Sequence, residues 1–283
     1  MSKRNDFALV PKPPSAVEKA TPRAKRILSS MVTDTLGLAR KTVGKEVGIA
    51  DSQLEYWFQT GEKYRYGQGV TQDYTEAIKW YRKAAEQNYA KAQHSLGSCY
   101  LFGDFLKGVE KDYVKAVMWF RKAAEQNYAP AQSALGYRYY AGEGVEQDYL
   151  EAAKWYRKAA DQDKALAQDK LGNCYYEGEG VPQDYLEAAK WWRKAAEQNY
   201  TEAQYSLGCC YEQGQGVPQD VVEAYKFYKL AAEQKKITTL TMEQNRKAAV
   251  ENLKQIVAQM TAVEIAEGER RYNEFLSSKH LIK

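Results

Sequence analysis

Residues 79–89 read Lys-Trp-Tyr-Arg-Lys-Ala-Ala-Glu-Gln-Asn-Tyr, and close variants of this segment recur four more times along the chain. The later copies begin at Met118, Lys154, Lys190 and Lys226, so that successive copies lie 39, 36, 36 and 36 residues apart. The longer first spacing reflects three extra residues in one turn, at 103–109. A fixed period of this length is typical of a repeat architecture in which every unit is one supersecondary element.

The period divides residues 54–236 into five units, and each unit is predicted to be a helix, a glycine turn and a second helix. The units are 54–89, 90–128, 129–164, 165–200 and 201–236. In the first half, Ala92, Leu96 and Tyr100 follow one another at helical spacing. A Gly-x-Gly-Val turn comes next, and Asp73 with Glu76 then has the form of a helix N-cap. Since neither helix can bury its apolar stripe alone, neighbouring units must stack.

The motifs resemble the Sel1-like repeat (SLR) family, a relative of the tetratricopeptide repeats. The residues that carry the resemblance are Leu-Gly-x-x-Tyr, Gly-x-Gly-Val-x-x-Asp, Lys-Trp-Tyr and Ala-Ala, in that order, over 54–236. The resemblance implies an all-α fold, a right-handed α-solenoid of five helix-turn-helix repeats with helical caps at both ends. Residues 260–271 are similar to the terminal helix that often closes bacterial arrays of this family. The first unit departs most from the pattern, because Thr60 replaces the leucine.

The two ends of the chain differ from the repeats in charge. Residues 1–53 hold ten Lys or Arg against five Asp or Glu, whereas the repeats hold 24 against 26. We expect a disordered, Pro-rich basic lead over 1–20, an amphipathic helix over 21–53 that caps the first unit, and capping helices over 237–283. Alternatively, the helix at 21–53 docks on an acidic partner, a membrane surface or nucleic acid. The basic residues available for such docking are Arg23, Lys25, Arg26, Arg40 and Lys41. The segment has no aromatic residues that could stack on bases, which argues against nucleic acid.

Composition excludes several classes of protein. No stretch approaches the roughly 20 apolar residues that a membrane-spanning helix needs, and residues 1–10 lack the apolar core of a signal peptide. We therefore expect a cytoplasmic protein, and we favour a monomer. The four cysteines include no Cys-x-x-Cys pair, so free thiols are expected and neither a metal nor a cofactor is predicted.

Two motifs could suggest chemistry. The Gly-x-Gly turns lie between helices and lack a following Gly-Lys-Ser/Thr, so they are interpreted as structural turns rather than phosphate loops. His94 is the only histidine of the repeats, and its counterparts Ser133, Asp169 and Tyr205 vary as a surface position does. Both observations favour a protein without catalytic activity. The resemblance leaves one enzymatic alternative, a β-lactam-binding or β-lactam-hydrolysing protein, but the members discussed in that role carry paired cysteines in each repeat, which this chain lacks.

The remaining candidate for function is the surface of the first helices, which line the concave side of a helical-pair solenoid. Tyrosine provides contact area, a polar tip and few rotatable bonds, and is therefore suited to a binding groove. The predicted partner-binding residues are Glu62, Arg65, Lys91, His94, Tyr137, Tyr140, Asp169, Asn173, Tyr176, Tyr205 and Glu212. The sequence thus predicts a scaffold or adaptor that binds a segment of a partner protein, either an extended peptide or a helix.

Overall fold

The computed structural model describes residues 50–103, 106–234 and 239–280, and within these ranges it contains twelve helices and no strand. The helices are α1 (Asp51–Tyr66), α2 (Tyr74–Ala85), α3 (Ala90–Leu101), α4 (Tyr113–Glu125), α5 (Ala129–Ala141), α6 (Tyr149–Ala160), α7 (Ala165–Glu177), α8 (Tyr185–Glu197), α9 (Thr201–Gln213), α10 (Val221–Ala232), α11 (Leu240–Val257) and α12 (Ala262–His280). The first ten form five pairs, so the odd-numbered helices up to α9 are the first helices of the units and the even-numbered ones up to α10 are the second helices. The fold is the all-α solenoid that the sequence predicts.

The second helices begin where the sequence places their caps. Asp148 accepts a hydrogen bond from the backbone N–H of Glu151 at 2.9 Å, and the aspartate at the start of every other second helix does the same three residues along. In the second unit Lys115 replaces the glutamate, yet its N–H still donates to Asp112 and its ammonium group lies 2.8 Å from that carboxylate. A cap of this kind typically stabilises a helix by about 1 kcal/mol.

The turn between the two helices of a unit depends on glycine for two reasons. Gly180 has φ +73°, a left-handed conformation that favours glycine. A Cβ atom at this position would also lie only 2.0 Å from the carbonyl oxygen of Tyr149, which belongs to the preceding unit. The turn therefore contributes to the stacking of one unit on the next.

Within a unit, an aromatic ring of the second helix packs against a glycine of the first. Tyr156 is 1% exposed, and a Cβ atom on Gly136 would lie 2.8 Å from its ring. The same arrangement recurs in all five units, with the rings of Tyr81, Phe120, Trp192 and Tyr228 at this position. The glycine of the Leu-Gly-x-x-Tyr motif is therefore explained by close packing of the two helices.

Between units, buried glutamines form a repeated set of hydrogen bonds. Gln132 in α5 donates to the carbonyl oxygen of Ala124 in the preceding unit at 3.3 Å, and it accepts from Gln162 of its own unit at 2.7 Å. Gln93 and Gln168 make the equivalent bonds. These contacts satisfy polar groups at the unit junctions, where an unpaired group would be costly.

The glutamine pattern ends in the fifth unit. Gln204 donates to Ala196 at 3.3 Å, but its buried Oε1 has no hydrogen-bond partner among the described residues. Gln234, the counterpart of Gln162, donates instead to the carbonyl oxygen of Asn199. The last unit thus differs from the others at its outer junction.

Helices α11 and α12 pack against α10. Arg271 of α12 pairs with Asp220 at 3.0 Å and with Glu223 at 2.9 Å. A Cβ atom on Gly268 would lie 2.5 Å from the ring of Tyr225, so the helices approach closely here as well. No helix among the described residues is both long enough and apolar enough to cross a membrane.

The first described helix begins at Asp51, three residues before the predicted start of the first unit. The prediction for 1–20 and most of the helix predicted over 21–53, namely residues 21–49, fall outside the described residues. The five basic residues of the alternative docking helix lie there too, so that alternative stays a prediction.

Candidate partner-binding face

The predicted partner-binding residues lie on α1, α3, α5, α7 and α9, and we call the outward side of these helices the first-helix face. Two clefts open on it, and together they are lined by six of the eleven predicted residues. The apolar cleft spans the second to fourth units, and the tyrosine cleft spans the third to fifth.

The apolar cleft has a volume of about 470 Å³ and is lined mainly by hydrophobic side chains of α3, α4, α5 and α7. Three of them are large and exposed: Phe102 (49%), Tyr137 (43%) and Leu166 (46%). Contiguous exposed apolar surface of this kind is typical of an interaction site. The cleft can therefore accommodate an apolar side chain of a partner.

His94 lines the apolar cleft as an aromatic residue rather than as a base. Its ring centroid lies 5.5 Å from that of Phe120 and 5.6 Å from that of Tyr128. Burial, followed by the charge of Arg65, lowers the pKa of His94 to about 4, so the imidazole is neutral at pH 7. A neutral imidazole packed between two rings contributes contact area to the cleft.

The tyrosine cleft has a volume of about 330 Å³, and its aromatic lining residues are Tyr140, Tyr176, Tyr205 and Trp192. The Tyr176 and Trp192 rings lie 5.4 Å apart. Two hydrogen bonds position this pair: the indole N–H donates to Asn173 at 3.0 Å, and the Tyr176 hydroxyl donates to Gln215 at 3.0 Å. The aromatic wall is therefore held in place before any partner binds.

The tyrosine hydroxyls of this cleft remain protonated at neutral pH. Burial and a hydrogen bond to Glu179 raise the pKa of Tyr140 to about 12. Burial and the neighbouring Cys209 likewise raise the pKa of Tyr205 to about 12. Both side chains present neutral hydroxyl groups.

Four of the other predicted residues already have partners within the array. Tyr81 donates a hydrogen bond to Glu62, and Tyr228 donates one to Glu212 at 2.5 Å. Lys91 lies 3.3 Å from the Glu55 carboxylate, and the Arg65 guanidinium lies 5.2 Å from the ring centroid of Tyr66. These contacts tie the four side chains to neighbouring residues.

Asp169 corrects one premise of the sequence analysis. The sequence predicts a surface position for His94 and its counterparts, but Asp169 is 1% exposed and Ser133 is 7% exposed. Burial raises the pKa of Asp169 despite Lys170, whose ammonium group lies 3.1 Å away. The position lies at the junction with the next unit, so its variation reflects different contacts between neighbouring units. Because Asp169 is buried there, it is not available to a partner.

Six residues that line the tyrosine cleft are not among the predicted ones, and two of them, Trp192 and Glu177, determine its aromatic and charged character. Trp192 belongs to a second helix, and at the same position units one, three and five carry tyrosine and unit two carries phenylalanine. This difference between Trp192 and its counterparts was the signal in the sequence that could have identified it. Glu177 is the last residue of α7, one position beyond the tyrosine that was selected.

The cysteines of the array are not activated. All four are free thiols, and burial raises the pKa of Cys99 to about 11 and those of Cys174 and Cys210 to about 12. The reactive form of cysteine is the thiolate, so these side chains are protonated and inert at pH 7. Within the described ranges no three His, Cys, Asp or Glu side chains are grouped so that they could hold a metal ion.

Comparison with known proteins agrees with the fold described above. The chain is 32% identical to a Sel1 repeat protein from Oxalobacter formigenes, with a TM-score of 0.62, over 81% of this chain and 98% of that one. It is also 32% identical to a protective antigen of uropathogenic Escherichia coli that displays an SLR fold, with a TM-score of 0.68, over 79% of this chain but only 45% of the antigen. A segment of 59 residues, 21% of this chain, is 37% identical to an uncharacterised protein of Neisseria meningitidis serogroup B, and it spans 13% of that protein.

The family model for the Sel1 repeat matches five consecutive segments of the chain, at residues 58–89, 90–128, 129–164, 165–200 and 201–236. Four of these segments coincide with the units read from the sequence, and the first begins four residues later. The fold and these matches agree, and the chain belongs to the Sel1 repeat family.

Proposed function

We propose that this protein is a non-enzymatic adaptor and that its first-helix face binds a segment of a partner protein. Sel1 repeat proteins are generally scaffolds for protein–protein interaction. The observation that carries the proposal is the pair of clefts, which are lined by aromatic side chains at positions where the units differ from one another.

The chemistry of the clefts suits a peptide. Buried aromatic anchors provide much of the binding energy in protein interfaces, and the apolar cleft exposes Phe102, Tyr137 and Leu166 on one surface. The tyrosine cleft adds hydroxyl groups that can accept or donate hydrogen bonds. An extended segment that lies along the first helices could contact both clefts, since they occupy overlapping sets of units. We place this activity in the cytoplasm, because four free thiols are typical of a reducing compartment.

Affinity capture with mass spectrometry tests the proposal. The test variant is Tyr137→Ala/Tyr140→Ala/Tyr176→Ala, which removes aromatic rings from both clefts. The matched control is Val114→Ala/Leu150→Ala/Leu186→Ala, which removes exposed apolar side chains from the starts of three second helices. Circular dichroism on both variants first establishes that the helices are intact.

We expect the test variant to lose partners that the wild type and the control retain. An unchanged partner list would contradict the assignment of the first-helix face. If only the control variant lost the partners, the binding surface would be assigned to the second helices instead.

A further inference from the structure

We infer that the tyrosine cleft receives a basic side chain, arginine or lysine, of the bound segment. The inference deepens the proposed function, because the partner segment would carry the cation. It rests on three observations: the aromatic lining, the sign of the charge at the cleft, and the absence, among the described residues, of a Lys or Arg over the rings of the cleft.

The aromatic lining provides the first argument. Tyr140, Tyr176 and Tyr205 come from three consecutive units, and Trp192 lies among them. The face of an aromatic ring carries partial negative charge and attracts a cation within about 6 Å of its centroid. Four rings around one cleft of about 330 Å³ form an aromatic cage of the kind that holds organic cations.

The charge at the cleft provides the second argument. Glu177 is the only charged residue of its lining, and it is exposed and makes no hydrogen bond or ion pair with the described residues. Glu179 contacts the Tyr140 hydroxyl and Glu212 accepts from Tyr228, so two more carboxylates lie nearby. A guanidinium group could stack on the rings and bond to a carboxylate at once.

The third argument comes from the tryptophans. In the described part of the chain, five of the six tryptophan rings have a Lys or Arg of the same chain over them. The pairs with lysine are Trp57 and Trp80 with Lys83, Trp119 with Lys122, Trp155 with Lys158, and Trp191 with Lys194, at 4.0 to 5.3 Å. Trp192 has no such partner among the described residues, and the three cleft tyrosines also have none. Trp192 itself is 4% exposed and packs on Gly172, at the position that Tyr81, Phe120, Tyr156 and Tyr228 hold in the other units. No Lys or Arg of the described residues therefore occupies the space over the four rings of the tyrosine cleft.

The apolar cleft gives an internal contrast. Its one charged lining residue is Lys164, and no carboxylate lines it. A basic side chain would be repelled there, whereas an apolar one would be accommodated. The expected partner segment therefore carries an apolar residue for the apolar cleft and a basic residue for the tyrosine cleft.

The test uses two small probes and the full chain. N-acetyl-arginine methylamide carries the cation, and N-acetyl-citrulline methylamide has nearly the same shape without the charge. Binding is followed by the indole N–H resonances of the six tryptophans, with the Trp192 signal assigned by its absence in Trp192→Phe. We expect the arginine probe to shift the Trp192 signal selectively and saturably, and the citrulline probe to bind about three- to tenfold more weakly.

A charge-matched pair of variants locates the site. Glu177→Gln removes the carboxylate of the cleft, and Glu125→Gln removes an exposed carboxylate at the end of α4. We expect Glu177→Gln to weaken arginine binding about threefold while citrulline binding is unchanged, and Glu125→Gln to affect neither probe.

Three results would overturn the inference: equal binding of both probes, equal effects of the two variants, or no saturable shift of Trp192 up to 100 mM probe. Since the probes contain no partner protein, such a failure would leave the capture experiment unaffected. Conversely, capture that is insensitive to the cleft variants, together with selective arginine binding, would contradict the proposed function and not the cation site.

Discussion

The unit junctions and the first-helix face follow opposite rules in this molecule. At the junctions, units two to five all carry glutamine at the position of Gln132. On the first-helix face, the position of Tyr140 is occupied by Leu101, Tyr176 and Glu212 in the other three of these units. Identity is kept at the glutamine position, where packing between units demands it, and it changes at the position of Tyr140 on the first-helix face. Sequence differences between repeats therefore indicate binding chemistry only at exposed positions, because the buried position of Asp169 varies as well.

The largest effect is expected from the repeated packing within a unit. Tyr156→Ala removes a fully buried ring from its seat on Gly136, and we expect a loss of about 3–5 kcal/mol in the free energy of unfolding. Urea denaturation followed by circular dichroism measures this loss. Tyr156→Phe is the control: the Tyr156 hydroxyl has no hydrogen-bond partner among the described residues, and Phe120 occupies the same position in unit two. A loss above about 1 kcal/mol for the phenylalanine variant would contradict this explanation.

The junction glutamines provide a comparison of an inner unit with the last one. Gln132→Leu deprives Ala124 and Gln162 of partners, and we expect it to cost about 1–2 kcal/mol. Gln204→Leu loses the equivalent bond to Ala196 but removes an acceptor that is already unpaired, so we expect it to cost less than Gln132→Leu. Denaturation of both variants under the same conditions checks the difference, and equal costs would show that the bond from Gln162 does not stabilise the inner unit.

The position shared by His94 and Asp169 predicts opposite pH dependence in two units. Because the pKa of His94 falls from about 6.5 in the unfolded chain to about 4 in the fold, the unfolded state binds more protons between these values. Stability due to His94 is therefore lost as the pH falls below about 6.5, and about 1 kcal/mol is lost at pH 5.5. The difference in unfolding free energy between wild type and His94→Ser, followed from pH 7.5 to 5.5, isolates this contribution. A difference that does not change with pH would show that His94 titrates normally.

Asp169 is expected to act in the other direction. Burial raises its pKa, so the folded state binds more protons than the unfolded state above the ordinary pKa of aspartate, and stability is lost as the pH rises. Asp169→Asn should therefore stabilise the protein at pH 7.5, and the gain should shrink towards pH 4. Thermal unfolding at the two pH values measures it. A variant that is less stable at pH 7.5 would indicate that the contact with Lys170 outweighs the cost of burial.

Local features of the fold could be predicted from the sequence, whereas contacts between helices could not. The caps of the second helices depend on two residues three positions apart. A pair such as Asp148 and Glu151 can therefore be recognised in the sequence of a single unit. The contact between Gln126 and Gln93 joins residues 33 apart, so its presence depends on how the two helices of the unit meet.

The residues of the candidate site show the same division between what one helix determines and what contacts between helices determine. Tyr140 and Tyr176 were selected from helical spacing alone, and both line the tyrosine cleft. The burial of Asp169 and the entry of Trp192 into that cleft depend on the neighbouring unit or on the second helix. Helical spacing within a first helix carries no information about either.

Site-specific photocrosslinking tests the division between the two surfaces most directly. p-Benzoylphenylalanine is placed either at Tyr137, on the first-helix face, or at Leu150, which is 52% exposed at the start of α6. After irradiation in the cell, we predict covalent partner adducts from position 137 and none above background from position 150. Adducts from position 150 with none from position 137 would contradict the assignment of partner binding to the first-helix face.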